Sequence, residues 1–190
     1  MESIKIRIKG ITPLLMHSAR SANPLDAAVQ DHRELASKRK KDDSDHRAIA
    51  LSEWRLALYH DDEHGVYLPG DNLEASIIEA AKLTKSGKKF RQGGVIIREK
   101  RLSLEYDGPK DPEELVSQPR FVDLRVVRVQ QARVMRCRPI FEQWGCQATI
   151  DFNSAMVKRA DVVKAVMDAG CCVGLGNLRP KYGRFTVEVL

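Results

Sequence analysis

Along residues 3–11 apolar and charged positions alternate, with Ile4, Ile6 and Ile8 on one side and Lys5, Arg7 and Lys9 on the other. A period of two predicts a strand with one buried face. Gly10 and Pro13 then break the chain before the apolar run Leu14, Leu15, Met16, and a polar stretch runs from His17 to Pro24. Residues 26–36 fit a short helix with a thin apolar face of Ala28, Val29, Leu35 and Ala36. The basic run Lys38, Arg39, Lys40, Lys41 follows, and Asp42, Asp43 and Asp45 come directly after it. Ser44 or Asp45 can cap a second helix reaching about His60, with Leu51, Trp54 and Leu58 on its core face. That register predicts Trp54 in the core rather than at a ligand. Residues 66–68 read as a short strand stopped by Pro69 and Gly70. A helix follows from Asp71, where Asp71 and Glu74 have the spacing of a capping box. Leu73, Ile77, Ala80 and Ala81 give that helix its period.

Residues 85–94 combine Lys85, Lys88, Lys89 and Arg91 with three glycines and Phe90, a composition shared by a mobile basic loop over nucleic acid and a plain surface hairpin connection. Residues 95–98 and 102–106 read as strands, and residues 112–115 as one helical turn. Residues 121–129 and 133–141 are strands bringing Arg125, Arg128, Arg133, Arg136 and Arg138 onto neighbouring backbone, a way to present a flat cationic surface. Residues 147–153 form a strand, and residues 160–169 a helix with Val162, Val163, Val166 and Met167 inward and Gly170 as its C′ residue. A glycine-rich loop and a last strand, 185–190, close the chain. The order predicts an α+β protein with a ferredoxin-like (RRM-like) βαββαβ palm. The expected organisation is one domain over residues 1–190, with a basic arm inserted at about 18–45 and a basic loop at about 85–94.

Composition changes this picture only modestly. Of 190 residues, 43% are hydrophobic, enough for a core. Lysine and arginine outnumber aspartate and glutamate 32 to 26, and the formal charge of +6 favours a polyanionic partner. Cys137, Cys146, Cys171 and Cys172 match no zinc spacing, and Cys171 and Cys172 sit in an apolar run. With no secretory signal and no run of membrane-spanning length, the expectation is a cytoplasmic protein without membrane partner, metal or cofactor.

The chemistry concentrates in residues 173–185. Gly174, Gly176 and Gly183 are interleaved there with Arg179, Lys181, Arg184 and Tyr182. Backbone N–H groups in such a loop can form an anion nest, although a glycine cap followed by a tight turn has the same composition. Candidate nucleic-acid contacts are therefore Gly174, Gly176, Arg179, Lys181, Tyr182, Gly183 and Arg184. Lys38, Arg39, Lys40, Lys41, Lys88, Lys89, Arg91, Arg136 and Arg138 extend the set, with Phe90 and Tyr182 placed to stack on bases.

Two segments carry a family resemblance. Residues 66–74 (Val, Tyr, Leu, Pro, Gly, Asp, Asn, Leu, Glu) resemble the strand, Pro-Gly, small polar pair, Leu, helix segment of the RAMP superfamily of CRISPR-associated proteins. Residues 174–185 are similar to that superfamily's glycine-rich loop before the last strand. Arg138 to Phe141, leading to Trp144 and the strand 147–153, sit where the family has its third core strand. The chain most resembles the compact backbone subunit that lines guide RNA, or a stand-alone phage-borne relative of it. The resemblance implies a ferredoxin-like palm, a protruding arm, RNA contact through the glycine loop and head-to-tail polymerisation. It departs from the pattern at Asp71 and Asn72, where small hydroxyl residues are usual, and at Glu74, which argues against phosphate contact by that helix.

Three functions stay open at this point. The first is a non-catalytic module for single-stranded nucleic acid, RNA favoured and single-stranded DNA allowed, assembling as a homo-oligomer or filament. The second is an endoribonuclease using Asp26, which lies in the region where some relatives cut RNA, with His17, His32 or His46 as partner. The third is a self-assembling structural protein that binds no nucleic acid.

Overall fold

A computed structural model describes residues 1–190, the side chain of Val129 excepted. In chain order the elements are β1 (Glu2–Gly10), β2 (Leu14–Leu15), α1 (Ala27–Ser37), α2 (Asp43–Ala57), β3 (His60–Asp61), β4 (Gly65–Pro69), α3 (Gly70–Leu83) and α4 (Gly87–Gln92). They continue with β5 (Ile96–Ile97), β6 (Arg101–Ser103), α5 (Pro112–Ser117), β7 (Val122–Val129), β8 (Ala132–Phe141), β9 (Gly145–Phe152), α6 (Arg159–Asp168) and β10 (Phe185–Val189). The class is mixed α+β, and the sheets have the orders β10-β1-β9-β5, β3-β4-β6 and β2-β8-β7. The chain divides into two compact units. Unit 1 comprises Met1–Leu14, His60–Asp107 and Glu142–Leu190, and unit 2 comprises Leu15–Tyr59 and Gly108–Phe141.

Unit 1 is organised by the alternation in β1. Antiparallel pairing sets Ile4 against Ile150, Ile6 against Ala148 and Ile8 against Cys146. All six are buried, because α3 and α6 lay Leu73, Ile77, Ala80, Val162 and Val166 over that face. Each fully buried aliphatic side chain contributes about 1.5–3 kcal/mol of hydrophobic stabilisation. Burial also pushes the Cys146 thiol up to about 12. The opposite side of β1 leaves Lys5, Arg7 and Lys9 exposed.

Unit 2 is built on the β7–β8 hairpin, in which Asp123 pairs with Arg138 and Arg125 with Arg136. Helix α2 packs on β8, and α1 and α5 pack on α2. Trp54 is 0% exposed, and its indole N–H donates to the carbonyl of Phe121 at 2.9 Å. Phe121 and Phe141 rings pack 5.6 Å apart beside it.

Several expectations change. Residues 18–45, expected as an inserted arm with a short helix at 26–36, hold a 3₁₀ turn (Ala19–Ala22), α1 and the start of α2, with the basic run in the short link between the two helices. They belong to unit 2 together with Gly108–Phe141, a partnership between distant segments that local composition does not reveal. Helix α2 starts at Asp43 because Asp42 and Asp45 form a capping box. Its buried side turns Leu51 out to 38% exposure. The expected Asp71 and Glu74 box is absent. Helix α3 opens directly after Pro69 with no side-chain cap, and Glu74 accepts from the Ile97 N–H at 3.4 Å instead. The loop expected at 85–94 contains α4, anchored by Phe90 at 1% exposure. Beyond α6 the chain runs on through a π turn, Ala169–Val173, so Gly170 is not a C′ residue. A Cβ there would lie 2.2 Å from the Phe185 carbonyl oxygen, so close approach of β10, not chain reversal, demands glycine. Met167, expected inward, is 49% exposed.

Candidate functional site

The glycine loop is held by its own backbone. The Gly174 N–H donates to Ala169 O at 2.7 Å, Leu175 N–H to Gly183 O at 2.8 Å, and Gly183 N–H to Pro13 O at 2.8 Å. The Gly174 carbonyl in turn accepts from the Ser76 hydroxyl at 2.9 Å. Gly183 has φ +73°, and a Cβ on it would come within 1.8 Å of the Leu175 carbonyl oxygen. Only glycine satisfies both conditions. Gly174 and Gly183 are buried with their amides occupied, so neither is a phosphate ligand as the sequence suggested. Their role is to close the loop.

Between them Leu175 is buried, while Arg179 and Lys181 are exposed. Arg179 is braced, one guanidinium nitrogen 3.5 Å from Gly174 O and another 3.6 Å from Glu79. The Lys181 ammonium sits 5.9 Å from the centroid of the half-buried Tyr182 ring. Arg184 is exposed, and its backbone is pinned to the start of the chain. Its N–H donates to Thr12 Oγ1 at 2.9 Å, and its carbonyl accepts from Ile11 and Thr12. Two residues on, Thr186 pairs with Lys9, so Arg184 continues the side of the sheet that carries Lys5, Arg7 and Lys9. That row of β1 cations is the part of the site that motif reading passed over. Its signal was present in the alternation itself. Glu188 stands opposite Arg7 on the same side. Next to Lys9 lies an open cavity of about 600 Å3, lined also by Arg7, Glu105, Tyr106 and Glu142.

The other candidate cations are placed elsewhere. Lys88, Lys89 and Arg91 are exposed on α4, which packs against α3 rather than on the open side of the sheet. Phe90 between them is core and cannot stack on a base. In unit 2, Lys38 binds Asp45 at 2.5 Å and Lys41 donates to the Lys38 carbonyl at 2.6 Å, while Arg39 and Lys40 project outward. Arg138 is buried at 7% exposure, which removes it from any surface contact. Arg136 is tied to Glu53 at 2.7 Å.

The proposed acid–base set does not assemble. Asp26 caps α1 through the Ala28 N–H at 3.0 Å and pairs with Arg20 at 2.6 Å. The hydrogen bond from Arg20 holds its carboxyl below the ordinary value, which makes it a poor proton acceptor. His17 and His32 line a cavity with Glu53 and Arg136 that Asp26 does not reach. His46 borders a different groove beside Leu124 and Met135. Among the described residues no group of three or more His, Cys, Asp or Glu side chains could hold a metal ion. Nor is any helix long and apolar enough to cross a membrane.

Compared with known proteins, the chain matches no family model and no curated protein.

Proposed function

We propose that the chain binds single-stranded nucleic acid, RNA in preference to DNA, along the cationic strip of unit 1. One observation carries the reading. Lys5, Arg7 and Lys9 are exposed in one row along β1, the Lys9–Thr186 register sets Arg184 toward the same side, and the exposed Lys181 and Arg179 stand in the loop that leads to it. Alternate side chains on a strand stand about 6.7 Å apart, a step suited to an extended sugar–phosphate chain. The loop that presents the last three cations is closed by main-chain hydrogen bonds, which lowers the ordering entropy that opposes the contact. Tyr182 is the aromatic group placed to stack at that end.

The finer fold reading has its own support. With β1, β5, β9 and β10 as the four strands, the antiparallel order β10-β1-β9-β5 and the intervening α3 and α6 agree with a ferredoxin-like βαββαβ palm. That agreement, with residues 66–74 and 174–185, supports reading the chain as a RAMP-like backbone protein that assembles head to tail along its strand.

The test is fluorescence anisotropy with a labelled single-stranded RNA and the matching DNA across a salt series. Replacing Arg179, Lys181 and Arg184 together with Ala should weaken RNA binding about tenfold or more. It should also flatten the log–log salt slope by about 2, since each phosphate contact to a single strand contributes about 0.7. A folded triple variant with unchanged affinity and slope would sink the site, and absence of binding by the parent chain would sink the function.

A further inference from the structure

We infer that unit 2 holds a second ligand site, separate from the strip on unit 1, in which His17, His32, Arg33 and Arg136 take a phosphate monoester dianion. The cavity has a volume of about 250 Å3, and Val29, Leu56 and Ala57 form its apolar floor. Its walls and rim are polar: His17, Ser21, His32, Arg33, Glu53 and Arg136. A concavity with an apolar floor and a few convergent polar groups is the usual form of a small-ligand site, and this one is of a size for a compact group.

The polar groups are pre-oriented. Glu53 Oε1 accepts from Arg136 Nη1 at 2.7 Å, and Glu53 Oε2 accepts from the Cys137 N–H at 3.0 Å. The carboxylate is thus anchored by backbone and fixes the guanidinium, which has further N–H donors for a ligand oxygen. His32 Nδ1 lies 3.1 Å from Ser52 Oγ, which sets the ring and leaves Nε2 as its other polar atom. Arg33 stands exposed at the rim, one residue after His32 on α1. Among the lining groups Arg33 and Arg136 stand against the one carboxylate Glu53, and the neighbouring Arg138 is acted on by both Glu53 and Asp123. His17 registers that field. Burial, then Arg138 and Arg136, lower its pKa, with Glu53 opposing. A dianion entering the cavity would offset those guanidinium charges and satisfy arginine and imidazole donors together.

The site is tested on the full chain by NMR of the histidine ring C–H resonances, assigned with His17→Gln and His32→Gln. The ligands are inorganic phosphate, adenosine 5′-monophosphate and adenosine. Saturable shifts at His17 and His32 are expected with phosphate and the monophosphate and not with adenosine. His17 should protonate at higher pH in the bound state, since the ligand charge then counters Arg33, Arg136 and Arg138 while Glu53 and His32 remain as they were. Arg136→Gln should weaken phosphate about tenfold or more. Arg33→Ala, at the exposed rim, should weaken it several-fold and serves if Arg136→Gln fails to fold. Replacing Arg179, Lys181 and Arg184 with Ala should leave these shifts unchanged, whatever happens to strand binding. Shifts that do not saturate, an equal response to adenosine, or phosphate binding indifferent to both arginine substitutions would each overturn the assignment.

Discussion

In the link between α1 and α2, the side chains do the holding: Lys38 reaches Asp45 at 2.5 Å and Lys41 reaches the Lys38 carbonyl at 2.6 Å. In the loop before β10 the backbone does it, through Gly174, Leu175 and Gly183, and Lys181 and Arg184 stay exposed. Both segments read as dense basic runs. They differ in what stands beside them. A run followed by Asp42, Asp43 and Asp45 finds its counter-ions within a few residues and consumes part of its charge in capping and closing the turn. A run interleaved with glycines closes by main-chain hydrogen bonds and draws only on Arg179, against Gly174 O and Glu79, among its cations. Charge density in a sequence is therefore a weaker guide to a binding surface than the means by which the segment is fixed.

The strongest way to break this contrast is at Gly183. Gly183→Ala sets a Cβ 1.8 Å from a backbone oxygen at φ +73° and should cost about 3 kcal/mol of stability, read by urea unfolding. A near-neutral result would mean that the loop is not closed as described. In unit 2 the corresponding hold is by charge. Glu53→Gln keeps the shape but weakens the acceptor for Arg136 and the Cys137 N–H. Because Arg136 is 36% exposed, the loss should be only about 1–2 kcal/mol, also by urea unfolding. Replacing Arg179, Lys181 and Arg184 with Ala reverses the pattern, with stability changed by about 0.5 kcal/mol at most while RNA affinity falls as above. Calorimetry beside anisotropy checks the separation, and a large stability loss would show these cations to be structural. The smallest effect is that of acid on the Arg20–Asp26 pair. Asp26 is held below its ordinary value of 3.8, so its contribution is present in full above that value. It is lost as pH falls through the lower folded-state value. Asp26→Asn should remove that part of the acid dependence and lower the neutral-pH stability by the same small amount, since Asn keeps the cap but not the charge. An unchanged acid limb in the variant would assign the dependence to other carboxylates.

Much of the scaffold was legible because it rests on local periodicity. The alternation of Ile4, Ile6 and Ile8 announces a half-buried strand, and the helical spacing of Leu73, Ile77 and Ala80 announces a packed helix. Trp54 was readable as core for the same reason. Phe90 was misleading because the apolar period of α4 is shorter than one needs to see it: six residues, Gly87–Gln92, with a single large anchor. Glycine was ambiguous as well. Gly170 reads as a helix stop, yet it is there to admit the Phe185 backbone. Spacing alone cannot tell a glycine that bends the chain from one that lets another strand approach.

The candidate sites divide in the same way. The loop cations and the β1 row were each visible as patterns, while the alignment of Arg184 with that row depends on the pairing of Lys9 with Thr186, 177 residues apart. The cavity of unit 2 was not visible at all, since His17, His32, Glu53 and Arg136 share no motif and meet only when residues 15–59 pack against residues 108–141. By itself the sequence determined which faces of β1 and α3 would be buried, because backbone geometry converts residue spacing directly into sidedness. Tertiary structure decided which cations remain exposed, which carboxylates they find and which side chains line a common cavity. Those outcomes depend on long-range register and on counter-charges brought from distant segments, and local spacing encodes neither.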